Sequence, residues 1–294
     1  MKLIHTTIYK VYNKNDFKIS IINDVHFSRK IGNKLELLLS YFNKIKPDYI
    51  FIPGDLIDSI NAVLIVEQKN KLIDWLNKLG EIAKVIISLG NHDIYKIENN
   101  NIDEFDYKYD IDFFKELKLI NNVYLLDNEN YIDDYIYAAG ITLSKKYYYR
   151  EDINILKKEL EDNKNILTNL PKNKVKFLLI HSPYRLENEK IKEKIAEFDY
   201  FISGHMHNGC VPPIINEIWK SNRGIIAPTS EMFIKNARSK LKNENDKLII
   251  NGPVTMFQKS SKTFQLFNFM YPIYTSLMDF NSKNKFKVIK KYHK

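Results

Sequence analysis

Residues 46–58 read KPDYIFIPGDLID, and the fold turns on how that run is understood. Four apolar residues, Tyr49 to Ile52, stand in a row without polar alternation and stop at Pro53-Gly54-Asp55. A strand with one wet face alternates polar and apolar residues; an unbroken apolar run of this length marks a strand covered on both faces. The same grammar recurs on either side. FKISIIN at 17–23 runs into Asp24-Val25-His26, and KVIISL at 84–89 runs into Gly90-Asn91-His92-Asp93. VKFLLI at 175–180 ends on His181, and YFIS at 200–203 ends on Gly204-His205-Met206-His207. Shorter strands are expected at 123–126 and 135–139.

Between these runs the period changes to that of a helix. Leu35, Leu38, Leu39, Phe42 and Ile45 recur at helical spacing over 33–45, with Pro47 just past the end. A second helix is expected at 64–79 with Gly80 as its stop, and a third, rich in Glu and Lys, at 153–167. Buried strands alternating with helices indicate an α/β protein with a buried, largely parallel sheet. Residues 211–294 are less periodic and strand-rich. They are expected to extend the sheet within one domain spanning 1–294, whose motif-bearing core is about 17–210. No internal repeat or linker interrupts it.

Composition excludes several classes. The chain has 294 residues and a single cysteine, so an internal disulfide and a cysteine-based zinc cage are both out, and a reducing, cytoplasmic setting is expected. The net charge is +9, but only five of the 45 basic residues are arginines, and the lysines are interleaved with Glu, Asp and Asn. That is the pattern of a solvated surface rather than a nucleic-acid groove, so specific nucleic-acid binding is not expected. The basic run 283–294 reads as a frayed tail, and the polar run 98–112 as an exposed segment. Met1 to Tyr12 lacks the form of a signal peptide. The apolar stretch 264–278 falls short of the roughly 20 apolar residues a membrane helix needs, so no membrane is expected.

The functional signal is positional. Five of the seven histidines, three aspartates and an asparagine sit at or just after strand ends, the edge at which open α/β folds place their ligand sites. Asp24 and His26 are two apart, as are His205 and His207; in extended chain such pairs face one side. Gly54, Gly90 and Gly204 allow sharp turns and close approach to the site. Asp24, His26, Asp55, Asn91, His181, His205 and His207 are too many groups for one four-coordinate ion, whereas two ions sharing a carboxylate can use them all. Imidazole and carboxylate without thiolate suit Mn, Fe, Zn or Ni. Beyond the ligands, Arg29 follows the first pair, and Tyr149 and Arg150 end an aromatic, basic segment that could rim the cleft. These three are the candidate substrate contacts. Cys210 lies near the motif but outside any ligand spacing and reads as a packing residue.

In order, D-x-H, G-D, G-N-H-D, a lone His and G-H-x-H resemble the signature of calcineurin-like metallophosphoesterases, over about two thirds of the chain. The bacterial subgroup that often carries an N-terminal membrane anchor is the most similar in flavour. Here no anchor is expected, and Asn208-Gly209-Cys210 stands where that subgroup usually has two glycines and a glutamine. The resemblance implies a layered fold with a buried central β-sheet, a β-sandwich, flanked by helices. It implies one ion on Asp24, His26 and His207 and a second on Asn91, His181 and His205, bridged by Asp55. It further implies that His92 protonates the leaving oxygen and that Asp93 orients and charges His92. The expected activity is hydrolysis of a small phosphoester, a diester or nucleotide-type compound, by in-line attack of metal-bound hydroxide. A nuclease of the same fold is the alternative, and a non-catalytic binding module is a more distant one.

Overall fold

A computed structural model describes residues 4–29, 31–98, 101–104, 112–216, 221–226, 232–256, 268 and 271–293. Fourteen strands are assigned among these residues. The first seven are β1 (Ile4–Tyr12), β2 (Phe17–Ile21), β3 (Tyr49–Pro53), β4 (Lys84–Ser88), β5 (Tyr95–Glu98), β6 (Asn101–Glu104) and β7 (Val123–Leu126). The rest are β8 (Glu129–Ile132), β9 (Ile136–Ile141), β10 (Val175–Ile180), β11 (Tyr200–Ser203), β12 (Leu248–Ile250), β13 (Ile273–Asn281) and β14 (Lys287–His293).

The apolar runs form two sheets, as the β-sandwich implied by the resemblance requires, where the strand pattern alone suggests one. One has the order β14-β1-β13-β2-β3-β4-β7 and the other β12-β11-β10-β9-β8, while β5 and β6 pair as a separate hairpin. The central runs are largely apolar because their strands are covered on both faces. In β3, Tyr49 and Phe51 face Ile19, Ile86, Phe177, Leu179 and Ile202 in the layer between the sheets. Ile50 and Ile52 face outward, onto Leu38, Phe42, Leu76 and Leu79 of the helices Lys34–Ile45 and Val66–Ile82. The second sheet is covered likewise by Leu156, Leu160, Ile191 and Phe198. The layers therefore run helix, sheet, sheet, helix.

Three expectations are corrected. Gly80 does not end its helix, which continues to Ile82; a Cβ at Gly80 would run into the carbonyl oxygen of Asn121, so that residue allows a close approach. The helix expected over 153–167 stops at Asp162, and a tighter turn, Lys164–Ile166, follows. The tail is not frayed: β14 pairs antiparallel with β1 from Lys10↔Lys287 to Ile4↔His293.

The C-terminal segment also does more than extend an edge, because β13 lies inside the first sheet, parallel to β1 and antiparallel to β2. Of the run 98–112, residues 99, 100 and 105–111 lie outside the described residues, as do 264–267 and 269–270 of the apolar stretch. No helix among the described residues is long and apolar enough to cross a membrane.

Candidate metal centre

The carboxyl ends of β2, β3, β4, β10 and β11 meet along one edge of the two sheets, and the loops that leave them are hydrogen-bonded to one another. Asp24 N donates to the Gly54 carbonyl at 3.4 Å, His26 N to the Asp55 carbonyl at 3.1 Å and Gly204 N to the His181 carbonyl at 3.0 Å. Ligand atoms gather in three sets, each within 4.8 Å: Asp24, His26 and His207; His26, Asp55 and His92; Asp55, His181 and His205. Asp24, His26, Asp55, His181, His205 and His207 are all buried, whereas Asn91 and His92 are half-buried.

The pairs two apart do not meet by strand alternation. Asp24, His26, Asp55, His205 and His207 have φ of 48°, 48°, 54°, 64° and 46°, in the left-handed region that side chains with a Cβ seldom adopt. Five such residues in one site are strained backbone held by the surrounding loops, a pattern concentrated at functional sites. Gly54, with φ of 90°, brings the chain against His181, where a Cβ would sit 2.5 Å from Nδ1.

Backbone carbonyls fix the imidazoles. Nδ1 of His181, His207 and His92 lies 2.8, 2.7 and 2.7 Å from the carbonyl oxygens of Pro53, Met256 and Asp58. A carbonyl only accepts, so Nδ1 carries the hydrogen and the neutral ring turns its Nε2 lone pair inward. There it meets other acceptors. His181 Nε2 is 3.0 Å from Asp55 Oδ2, His207 Nε2 is 3.6 Å from Asp24 Oδ1, and the Nε2 atoms of His26 and His207 are 3.3 Å apart. Lone pairs facing lone pairs repel unless positive charge lies between them. Asn91 adds a buried Oδ1 with no hydrogen-bond partner among the described residues. The donor set therefore fits divalent metal, with nitrogen and oxygen ligands and no thiolate. Cys210 is outside all three sets, and burial pushes its thiol up to about 11.

Proton affinities agree with that reading. Burial, reinforced by neighbouring histidines, drives the His26 and His205 imidazoles well down and keeps them neutral, as ligands must be. Burial raises Asp24, with the His207 and His181 rings opposing it. Burial also works against ionised Asp55, but His181 and His92 outweigh it and hold that carboxyl well below the usual range. Burial lowers His181, and the Asp55 carboxylate overrides this and lifts it to about 9. Without metal, a proton thus occupies the space between His181 and Asp55, and proton and cation compete for one lone pair.

Asp93 is placed differently from its implied role. Its Oδ2 accepts from the N–H of Asp55 and of Gly90, both at 2.8 Å, and its Oδ1 from Ile57 N at 3.0 Å. Burial and the Asp55 charge push it up to about 7, and the backbone donors oppose a larger rise. The group holding His92 Nδ1 is the Asp58 carbonyl, and His92 N donates to Asp55 Oδ1 at 2.9 Å.

Calcineurin-like phosphoesterases match the chain over residues 17–209, which takes in every one of these candidate ligands. The chain belongs to that family. An uncharacterised metallophosphoesterase of Campylobacter jejuni is 28% identical over 205 residues, which cover 69% of this chain and 47% of that protein. A bovine transmembrane protein with a metallophosphoesterase domain is 26% identical over 215 residues, 68% of this chain and 42% of its own length. The chain thus spans less than half the length of the curated relatives it matches. A crystal structure of the Thermus thermophilus protein TT1561 superposes with a TM-score of 0.39 at 11% identity, covering 65% of this chain and 82% of that one. That likeness by itself says nothing about function.

The candidate substrate contacts are not among the residues packed on the histidines. Arg29 is exposed, Tyr149 is 69% exposed with Lys145 Nζ 5.7 Å from its ring, and Arg150 is exposed. The segment 145–150 is a helix capped by Ser144, and Tyr148 is the residue it turns toward the site, its ring centroid 5.4 Å from that of His205 and 6.3 Å from that of His181. Helical geometry could have found it. Tyr147, Tyr148 and Tyr149 point about 100° apart, so only one of the three can face a given site.

Proposed function

We propose that the protein is a metal-dependent phosphoesterase acting on a small phosphoester, a diester or nucleotide-type compound. In this reading Asp24, His26 and His207 would hold one divalent ion and Asn91, His181 and His205 a second, drawn from Mn, Fe, Zn or Ni, and Asp55 would serve both. The observation that carries it is the pair of Nδ1-tethered rings, His181 and His207, turning Nε2 onto carboxylate oxygens at 3.0 and 3.6 Å, with no lysine or arginine paired to Asp24 or Asp55 among the described residues. Bound ions supply Lewis acidity toward phosphoryl oxygens and a nucleophile from water at neutral pH. Asp24 and Asp55 are the only formal negative charges in that ligand set, so two divalent ions leave a net positive field that draws phosphate. His92 is half-buried, held by Asp58 at Nδ1, and its Nε2 can carry the proton given to the leaving oxygen. Strand β13, between β1 and β2, supports treating 1–294 as one catalytic domain, and the single cysteine supports a cytoplasmic setting.

The test is metal-stripped protein assayed on aryl phosphate mono- and diesters with Mn, Zn, Fe(II) and Ni supplied separately. Hydrolysis that depends on added ion and favours the diester is expected. Bound metal without hydrolysis of any ester refutes the proposal, and efficient, salt-sensitive cleavage of long DNA or RNA replaces it with the nuclease reading.

A further inference from the structure

Two tyrosines wall one end of the ligand row. The His205 ring has Tyr148 at 5.4 Å and Tyr184 at 6.1 Å between centroids, in addition to His181 at 5.2 Å. The wall is anchored from behind. Tyr147 is fully buried, and its hydroxyl donates to the Tyr184 carbonyl at 2.8 Å, tying the helix Lys145–Arg150 to the loop after His181. Ser144 caps that helix by accepting from Tyr147 N at 3.2 Å, and its own hydroxyl donates to Glu159 at 2.5 Å. Tyr148 is thus a half-buried ring on a braced helix, next to the site rather than within it. His92 belongs to the other end of the row, its ring 4.7 Å from that of His26. If His92 serves the leaving oxygen, the leaving group departs on that side, and Tyr148 stands away from it, on a side open to the ester arm retained on phosphorus.

We propose that Tyr148, backed by Tyr184, is a specificity-determining platform that stacks on a flat aromatic or nucleobase group of the retained ester arm. The assignment rests on the phosphoesterase reading and narrows it to esters with a ring near phosphorus. Ring-on-ring contact in a partly desolvated site is tolerant of which ring is offered, because every base has a π-face. The phenol hydroxyl is not needed for it.

The test compares methyl p-nitrophenyl phosphate with phenyl p-nitrophenyl phosphate. Both expel nitrophenolate and differ in the retained arm. Wild-type protein should favour the phenyl ester in kcat/KM, mostly through KM. Tyr148→Ala should reduce that preference roughly tenfold, the size of one stacking contact at about 1.4 kcal/mol per decade. Tyr148→Phe should keep it, and metal content should not change in either variant. Calorimetric binding of phenylphosphonate against methylphosphonate to the Mn-loaded wild-type protein and both variants reads the same preference without turnover. An unchanged preference in Tyr148→Ala overturns the platform, as does a preference lost in Tyr148→Phe. Wild-type protein that treats the two arms alike in both assays overturns it without need of a variant. A phosphonate preference that depends on the Tyr148 ring, in protein that cleaves neither ester, upholds the platform and rejects the phosphoesterase reading. Protein that binds neither phosphonate and cleaves neither ester rejects both.

Discussion

Replacing Asp93 by Asn separates two roles for that residue, and the structure sets the size of the effect. Three backbone N–H groups, of Asp55, Gly90 and Ile57, converge on its two oxygens at 2.8–3.0 Å, in a position with no solvent exposure. An Asn side chain has one carbonyl oxygen. Its better orientation keeps the two bonds to that oxygen and sets its NH2 against the N–H of Ile57, donor against donor. One bond to a charged acceptor, worth about 1.5–3 kcal/mol, is lost, and a buried N–H is left unsatisfied at about 1–3 kcal/mol. Together the cost is about 2.5–6 kcal/mol, which at about 2–4 °C per kcal/mol lowers Tm by roughly 5–24 °C. One donor belongs to Asp55 and another adjoins Asn91, both proposed metal ligands, so metal affinity should fall with stability. His92 keeps its tether to Asp58. Thermal unfolding of metal-free protein at pH 8, metal titration by calorimetry and turnover at saturating metal across alkyl and nitrophenyl leaving groups measure the three effects. The expected result is a less stable, weaker metal binder whose turnover loss is the same for every leaving group. Wild-type stability and metal affinity, with a loss confined to poor leaving groups, would show that Asp93 acts through His92 and that the clamp argument is wrong.

Other outcomes follow from the same geometry. Protein reconstituted with Mn should approach two ions per chain by elemental analysis, and Asp55→Ala should be the most damaging ligand change; saturation at one ion contradicts a shared Asp55. His92→Asn should keep its metal and lose turnover by roughly 10²–10⁴-fold, less for nitrophenolate than for alkyl leaving groups, and an equal loss on both would remove His92 as proton donor. His5 supplies a pH prediction. It is 1% exposed on β1, its Nε2 has no hydrogen-bond partner among the described residues, and burial with Lys240, Lys290 and Arg238 nearby lowers it from 6.5 to about 3. The unfolded chain therefore binds the proton first, and stability present above pH 6.5 is lost as pH falls toward 3, by up to about 5 kcal/mol at about 1.4 kcal/mol per pH unit. In urea unfolding of metal-free protein, His5→Gln should lose less stability than wild type between pH 7.5 and pH 5; equal losses would show that His5 is not buried neutral.

What residue order settled by itself is local. An apolar run such as 49–52 commits its strand to burial on both faces, and the Gly, Asp, Asn and His residues that follow such runs mark the site edge, because side-chain period and turn chemistry act over a few neighbours. Which family the chain belongs to was legible for the same reason, since the five motifs are short and fall in order. The tertiary structure decided everything that depends on partners far along the chain. Two sheets rather than one, and β13 threaded between β1 and β2, are set by strand pairing across some 250 residues, which no local pattern records. Gly80 reads as a helix stop until the Asn121 carbonyl is placed against it. Asp24 and His26 read as an extended pair, yet loop-to-loop hydrogen bonds hold both in left-handed backbone. Asp93 was found as a residue but not as a clamp, because two of its three donors come from the loop after β3 and only one from its own loop. Tyr148 rather than Tyr149 meets the histidines, because the helix direction is fixed by Tyr147 packing and bonding to Tyr184, a contact 37 residues away.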